Sequence, residues 1–199
     1  DVIDYCKQHE MPGILLQLDF EKAFDSVSWQ FLEKAIAAFN FGDQFKKWIK
    51  LLYSNSECCV TNNGHHSEFF KLSCGIRQGC PISALLFILI VEIMADNIRK
   101  NEEILGIRLG NNEVKISQLA DDTTLFLNDF TSVGKLFEFL DYFGKCSGMK
   151  LNKSKTEAIW LGTNVGKTET PLNLKWNQSF FKCLGIWCHT NTQLMGTKN

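Results

Sequence analysis

The chain has 199 residues, 45% of them hydrophobic and 22% charged, which is ample apolar content for one globular domain. The formal net charge of −1 argues against a protein that binds nucleic acid through a strongly basic surface alone. The sequence shows no repeat, low-complexity tract, signal peptide or transmembrane segment.

The first predicted strand ends at an acidic residue. Residues 14–18 form a short apolar run after a Pro-Gly pair, which is typical of a strand buried on both faces, and Asp19 follows directly. Further along, Ser28 is a candidate N-cap for a helix over residues 28–41, and a second helix is predicted over 43–53. From these residues alone, the favoured interpretation of Asp19 is a solvated loop acid.

A Gly-rich loop and a long apolar stretch follow. Residues 75–83 contain Gly, Arg, Gln and Pro, and a backbone of this kind can approach a ligand closely. The next stretch predicts a helix over 81–99 that is too short to span a membrane. Because apolar residues recur on most sides of this helix, we expect it to be buried in the core.

Two further acids lie in a predicted turn. Residues 104–109 and 114–119 predict a hairpin, and residues 123–127 predict the next strand. Asp121 and Asp122 therefore stand between two strands, followed later by a helix predicted over 132–146.

Carboxylates at the ends of neighbouring strands suit a divalent cation. Asp19, Asp121 and Asp122 would repel one another if brought together, and Mg²⁺ would relieve that repulsion while leaving positions for phosphate and water. The alternative for the Asp pair is an ordinary polar β-turn, in which Asp is common.

Five segments, in order, resemble the motifs of reverse transcriptases, and the likeness is greatest to those of non-LTR (long interspersed element) retrotransposons. The segments are residues 18–27 (LDFEKAFDSV), 75–83 (GIRQGCPIS), 120–122 (ADD), 148–156 (GMKLNKSKT) and 182–186 (KCLGI). The last of them resembles the region that grips the primer.

The resemblance implies a two-metal polymerase site. Asp19 and Asp121 would be the principal metal ligands, Asp122 the third acid, and the backbone carbonyl of Phe20 a further ligand. The implied cofactors are two Mg²⁺ ions, with Mn²⁺ as a substitute.

The resemblance also implies roles around the nucleotide. Arg77, Gln78 and Gly79 would line the nucleotide site, and Phe24 would lie under the incoming sugar and favour deoxynucleotides. Lys155 is a candidate for protonating pyrophosphate. Core packing for Phe24 and a plain surface lysine for Lys155 remain open alternatives.

The implied fold is the α+β palm of a reverse transcriptase, an antiparallel sheet with the Asp-Asp hairpin packed on helices. We expect residues 1–199 to be a partial reverse transcriptase domain, with the motifs over about residues 13–188 and with fingers, thumb and endonuclease largely missing. The native reading frame is then expected to extend beyond both ends.

The implied reaction is extension of a DNA primer with dNTPs on an RNA template, as part of a retrotransposon polyprotein. Eight scattered cysteines favour free thiols in a reducing compartment, so we expect the nucleus and cytoplasm and no membrane partner. The alternatives are an intron maturase or other cellular reverse transcriptase and, from a different class, an inactive relic or a domesticated nucleic-acid-binding protein.

Overall fold

The structure, a computed structural model, describes residues 2–168, 171–177, 180–183 and 186–189. Within these residues the helices are α1 Val2–Gln8, α2 Ala23–Ser26, α3 Trp29–Ala38, α4 Asp43–Tyr53, α5 Ser83–Lys100 and α6 Phe130–Ser147. The strands are β1 Gly13–Leu18, β2 Phe20–Glu21, β3 Glu57–Cys58, β4 Thr61–Asn62, β5 His65–His66, β6 Phe70–Lys71, β7 Ile107–Leu109, β8 Asn112–Val114, β9 Ile116–Leu119, β10 Asp122–Leu127, β11 Lys150–Leu151, β12 Glu157–Leu161, β13 Lys175–Asn177, β14 Phe180–Cys183 and β15 Ile186–His189.

A five-stranded sheet organises the molecule, in the order β13-β12-β1-β10-β9. The central strand β1 is antiparallel to both β10 and β12, and only the pairing of β12 with β13 is parallel. The register of β1 with β10 pairs Leu16 with Leu125 and Leu18 with Thr123. This mixed, mainly antiparallel sheet packed on helices confirms the predicted α+β class.

Both faces of β1 are covered, which explains its unbroken apolar run. Leu16 belongs to the large core cluster that includes side chains of α3, α5 and α6, whereas Leu15 belongs to a second cluster with Ile3 and Cys6 of α1. Successive side chains of a strand point to opposite faces, so a strand between two helical layers needs apolar residues at every position.

The predicted helices are confirmed with small shifts of their ends. Helix α4 begins and ends as predicted, and the Ser28 side chain caps α3 by accepting a hydrogen bond from the Phe31 amide at 3.4 Å. Helix α6 begins two residues before the predicted start because Asp129 caps it, accepting from the Ser132 amide at 2.8 Å.

Helix α5 differs from the prediction of burial on most sides. Its inner face is in the core, but Leu85 is 63% exposed and Ile88 is 47% exposed. Composition could not show this, because the exposed residues are as apolar as the buried ones. No helix in the described part of the chain is long and apolar enough to cross a membrane.

The predicted hairpin before the acids is present but interrupted. Strands β7 and β8 pair around the expected turn, and the second strand then breaks at Lys115 before β9 begins. The buried Lys115 ammonium donates to the carbonyl oxygens of Arg99 at 3.1 Å and Asn101 at 2.8 Å. It thereby satisfies carbonyls at the end of α5 and ties β9 to that helix.

Candidate active site

The sheet brings the three predicted acids to one end of two neighbouring strands. Because β1 and β10 pair Leu18 with Thr123, the next position of the register sets Asp19 opposite Asp122, with Asp121 one residue further into the turn. Asp19 is half-buried, whereas Asp121 and Asp122 are exposed. The positions of these three acids follow from the strand pairing of the backbone and imply no contact between their carboxylates.

The turn that carries the Asp pair is strained. Strands β9 and β10 pair Leu119 with Asp122, which leaves Ala120 and Asp121 as a two-residue loop. Ala120 has a φ of 55°, a left-handed conformation that a residue with a Cβ adopts only at a cost of about 1 kcal/mol or more. The Gln118 amide donates to the Thr123 hydroxyl at 2.9 Å and that hydroxyl donates to the Asp121 carbonyl at 3.4 Å, which braces the turn.

The three carboxylates have no cationic partner among the residues that the structure describes. No ion pair between described residues involves Asp19, Asp121 or Asp122. Across residues 2–168 and the shorter described stretches, no three Asp, Glu, His or Cys side chains are gathered closely enough to hold a metal ion. The fold therefore aligns two strands that end in carboxylates without closing a three-carboxylate cluster, and the ligand set stays a prediction.

The backbone around Asp19 is held by the segment that resembles the fourth motif. The Asn152 amide donates to the Asp19 carbonyl at 2.8 Å, and the Asp19 amide donates to the buried Thr156 hydroxyl at 3.5 Å. Because consecutive carbonyls of an extended chain alternate in direction, the next carbonyl, that of Phe20, faces away from β11. Phe20 is paired with Leu151 in register, so its carbonyl remains available on the other side.

Lys155 lies in the turn just before β12, at the same end of the sheet as Asp19. The Lys155 amide donates to the Asn152 carbonyl at 3.2 Å, and the Asn152 amide donates to the Asp19 carbonyl, so this turn lies next to Asp19. Its side chain is exposed and forms no ion pair with any described residue. An exposed lysine in the turn next to Asp19 is compatible with the predicted role and equally with a plain surface lysine.

The Gly-rich loop is fixed to the segment that follows Asp19. The Ile76 amide donates to the Phe24 carbonyl at 2.7 Å, and the Gly75 amide donates to the Val27 carbonyl at 2.8 Å. The indole of Trp29 donates to the Gly75 carbonyl at 2.8 Å. Gly75 has a φ of 94°, and a Cβ there would lie 2.8 Å from the Asp25 carbonyl oxygen, so only glycine fits without a shift.

The polar side chains of the loop reach two different partners. The Arg77 guanidinium donates to the Ser56 hydroxyl at 2.8 Å, and the Gln78 carboxamide donates to the Asp25 carboxylate at 3.1 Å. The side chains of Arg77 and Gln78 line an open groove of about 540 Å³, and Phe70 is part of the same lining. Gly79 has a φ of 79° and open space around its Cα, which leaves its backbone accessible.

Phe24 packs the segment that follows Asp19 against the core. The ring stacks on the buried Phe87 of α5, with centroids 4.2 Å apart and an angle of 16° between the planes. Phe24 is nevertheless half-buried, so part of it remains at the surface. Core packing and contact with a nucleotide sugar are compatible in this position.

The floor beneath the loop contains an unusual buried phenol. Tyr53 is 5% exposed, and neither its hydroxyl nor that of Ser83 has a hydrogen-bond partner among the described residues. Burial raises the pKa of Tyr53 and outweighs the opposite effect of the Ser83 hydroxyl and the Arg77 backbone, which lie near the phenol without forming a well-aligned hydrogen bond to it.

Three supporting residues were not predicted from the sequence. Asp25 contacts Gln78, Ser56 contacts Arg77, and Thr156 contacts Asp19. Asp25 lies inside a motif segment, and this was a usable signal. Thr156 ends the motif segment 148–156 and so had the same signal, whereas Ser56 lies outside every motif segment and contacts a residue 21 positions away, so no local pattern could reveal it.

Two sequence expectations lie wholly or partly beyond the described residues. In the segment 182–186 that resembles the primer grip, residues 184 and 185 are outside the described set. The second expectation is that all eight cysteines are free thiols, and the side chains of Cys183 and Cys188 are outside the described set. The other six are free thiols: Cys6, Cys58, Cys59, Cys74, Cys80 and Cys146.

Comparison with known proteins identifies relatives along most of the chain. Residues 2–188 match the family model described as reverse transcriptase (RNA-dependent DNA polymerase). The chain is 29% identical over 189 residues to the transposon TX1 uncharacterized 149 kDa protein of Xenopus laevis, and this covers 94% of the chain. It is 27% identical over 154 residues, or 77% of the chain, to the Pol polyprotein of the type-2 retrotransposable element R2DM of Drosophila melanogaster. The aligned part is 14% of each of these two relatives.

Solved structures share the fold. Apo telomerase from Candida tropicalis superposes with a TM-score of 0.66 at 13% identity, covering 95% of this chain and 34% of that chain. The telomerase of the same organism in complex with a fragment of telomeric RNA gives a TM-score of 0.63 at 15% identity, covering 92% and 29%. At such low identity the likeness establishes the fold alone.

Proposed function

Because the chain belongs to the reverse transcriptase (RNA-dependent DNA polymerase) family, and its curated relatives are proteins of non-LTR retrotransposons, we propose that it carries the catalytic palm of an RNA-directed DNA polymerase. The reaction is attack of a primer 3′-hydroxyl on the α-phosphate of a dNTP, with release of pyrophosphate. The larger retrotransposon polypeptide, the RNA template and the DNA primer are parts of this proposal.

One observation is the main support for this proposal. The pairing of β1 with β10 ends at Leu18 and Thr123, so that Asp19 and Asp122 follow the last pair at one end of the sheet, next to the Ala120–Asp121 loop, and no ion pair between described residues involves these carboxylates. Acids at the ends of neighbouring strands, two of them exposed to solvent, are accessible to a cation, which would offset their mutual repulsion if they converged on it.

The donor set suits Mg²⁺. Carboxylate and carbonyl oxygens are the ligands that this ion prefers, and in phosphoryl-transfer sites it is commonly held by one or two carboxylates, with substrate phosphates and water completing the shell. Asp19 and Asp121 would be the two principal ligands, with Asp122 and the Phe20 carbonyl beside them. Two bound ions, Mg²⁺ or Mn²⁺, would supply charge for the attacking primer oxygen and for the leaving pyrophosphate.

The remaining residues bind and orient the nucleotide. Arg77 brings guanidinium donors and Gln78 a carboxamide to the groove they line, and the exposed backbone of Gly79 allows close approach. The half-buried ring of Phe24, held by Phe87, would support the sugar and exclude a 2′-hydroxyl. Lys155 Nζ would give its proton to the leaving pyrophosphate.

The test is primer extension by the full-length polypeptide on an RNA template, beside the variant Asp121→Asn. The expected result is extension by the wild type and a loss of about a thousandfold or more in the variant, since removing a transition-state charge is worth several kcal/mol. Asp96→Asn is the matched control, because its partner Lys100 forms only a surface ion pair on α5. Equal activity in wild type and Asp121→Asn would overturn the proposal, and a folded but inactive wild type would favour the relic or nucleic-acid-binding alternative.

A further inference from the structure

Asp25 and Gln78 join two segments that are 53 residues apart. The Gln78 Nε2 donates to Asp25 Oδ1 at 3.1 Å, and both side chains belong to the wall of the groove of about 540 Å³. A single hydrogen bond between exposed side chains competes with water and by itself orders little. Its importance depends on whether the backbones on both sides are held.

Both backbones are held. The loop donates from the amides of Gly75 and Ile76 to the carbonyls of Val27 and Phe24, at 2.8 and 2.7 Å. The Asp25 carbonyl packs directly over Gly75, where a Cβ would lie 2.8 Å away. With the main chain fixed at both ends, only side-chain torsions remain to be ordered, so the hydrogen bond loses little entropy on forming.

The chemistry of the pair sets the direction of the Gln78 carboxamide. A carboxylate only accepts hydrogen bonds, so it selects the NH₂ group of Gln78 and turns the Oε1 atom away from Asp25. A free carboxamide could present either end to the groove. In this pairing Oε1 is left to accept from a donor in the groove, such as a sugar hydroxyl of a nucleoside triphosphate.

We propose that Asp25 is a positioning residue that holds the Gln78 carboxamide with its oxygen towards the nucleotide sugar. The inference rests on the proposed function for the identity of the ligand, and on the hydrogen bonds above for the geometry. As a positioning residue, Asp25 would itself contact neither metal nor substrate. Its effect on the reaction passes entirely through Gln78.

The first test is a double-mutant cycle on the full-length polypeptide, with KM for dNTP and kcat measured separately in primer extension. Asp25→Ala should raise KM about fivefold, the equivalent of one hydrogen bond, and change kcat less than twofold. Asp25→Asn keeps an acceptor and should recover part of the loss. The pair Asp25→Ala with Gln78→Ala should behave as Gln78→Ala alone, because residues that act through one another are not additive.

The control is Glu33→Ala, an exposed carboxylate on α3 without an ion pair among the described residues, which should leave KM unchanged. Multiplicative effects of Asp25→Ala and Gln78→Ala on KM would overturn the proposal. So would a fall in kcat with no change in KM.

A second readout does not depend on catalysis. In ¹⁵N-labelled protein the side-chain amide signal of Gln78, assigned by its absence in Gln78→Ala, should shift in Asp25→Ala and stay in place in Glu33→Ala. If the wild type extends no primer, the proposed function fails while this measurement still decides the positioning. An unmoved Gln78 signal in Asp25→Ala refutes the positioning even in an active enzyme.

Discussion

The acidic ends of β1 and β10 and the loop at residues 75–83 both carry expected site residues, but they are built differently. Strand register places Asp19 and Asp122, and the pairing that does so runs through fully buried residues such as Leu16 and Leu125. The loop has no register and is placed by hydrogen bonds to residues 24–29 and to Ser56. A site built from both regions therefore depends on the buried core to place its acids. It depends on a few individual hydrogen bonds to place its loop.

The largest expected effect separates function from stability at the acidic end. Asp19→Asn should reduce primer extension by about a thousandfold or more, because the proposed mechanism makes Asp19 a principal metal ligand. Stability should be equal or slightly higher, since one of three unpaired carboxylates is removed. Paired activity and thermal-unfolding measurements check this. A fall in melting temperature that accounts for the lost activity would mean that Asp19 is structural.

The second-largest expected effect comes from truncating a core side chain of β1, the strand whose pairing places the acids. Leu16→Ala should cost about 3 kcal/mol of unfolding free energy, because Leu16 is 0% exposed and packs between Leu125 and Ala158. Leu85→Ala is the matched control, since Leu85 is 63% exposed on α5 and its truncation should cost under about 1 kcal/mol. Urea unfolding of the two variants gives both values. Equal losses would show that the sheet core is not what supports the acidic end.

The third effect breaks the contacts of the loop. Gly75→Ala and Gly79→Ala both force a Cβ into a left-handed conformation, at about 1 kcal/mol each. Only Gly75→Ala adds a collision with the Asp25 carbonyl, so we expect about 2 kcal/mol in total and a higher KM for dNTP. Urea unfolding and nucleotide titration of both variants measure the difference. If Gly79→Ala is the more damaging in both measurements, close packing on Asp25 does not position the loop.

The smallest effect concerns pH and the floor under the loop. Burial raises the pKa of Tyr53, so its contribution to stability is complete below its ordinary pKa of 10.0 and is lost as pH rises through the higher folded value. Tyr53→Phe removes a buried hydroxyl without a partner and should change stability at pH 7 by less than about 1 kcal/mol.

The alkaline limb of the stability curve should therefore become flatter in Tyr53→Phe, while Tyr142→Phe, an exposed control at 67%, leaves it unchanged. Urea unfolding between pH 7 and pH 11 measures both. An unaltered alkaline limb in Tyr53→Phe would show that this phenol does not titrate with unfolding.

Much of the fold could be predicted because its signals are local. The apolar run before Asp19, the Ser28 cap and the turn at the Asp pair each depend on a few neighbouring residues, and the structure has all three. The turn holds Ala120 and Asp121, however, whereas Asp122, predicted to share it, is already the first residue of β10. The exposed side of α5 was missed, because Leu85 and Ile88 differ from their buried neighbours only in which way they face. The site residues themselves came from resemblance, since single acids in loops have no distinctive local pattern.

The sequence by itself therefore determined the elements, their order and the presence of acids at strand ends, because hydrophobic period, caps and turn residues act over a few positions. Only the tertiary structure decided which acids stand opposite one another, that Thr156 supports Asp19, and that Asp25 meets Gln78. These depend on strand register and on contacts between residues far apart in the chain. Such contacts form only when a buried core brings the segments together, and no short window of sequence contains both partners.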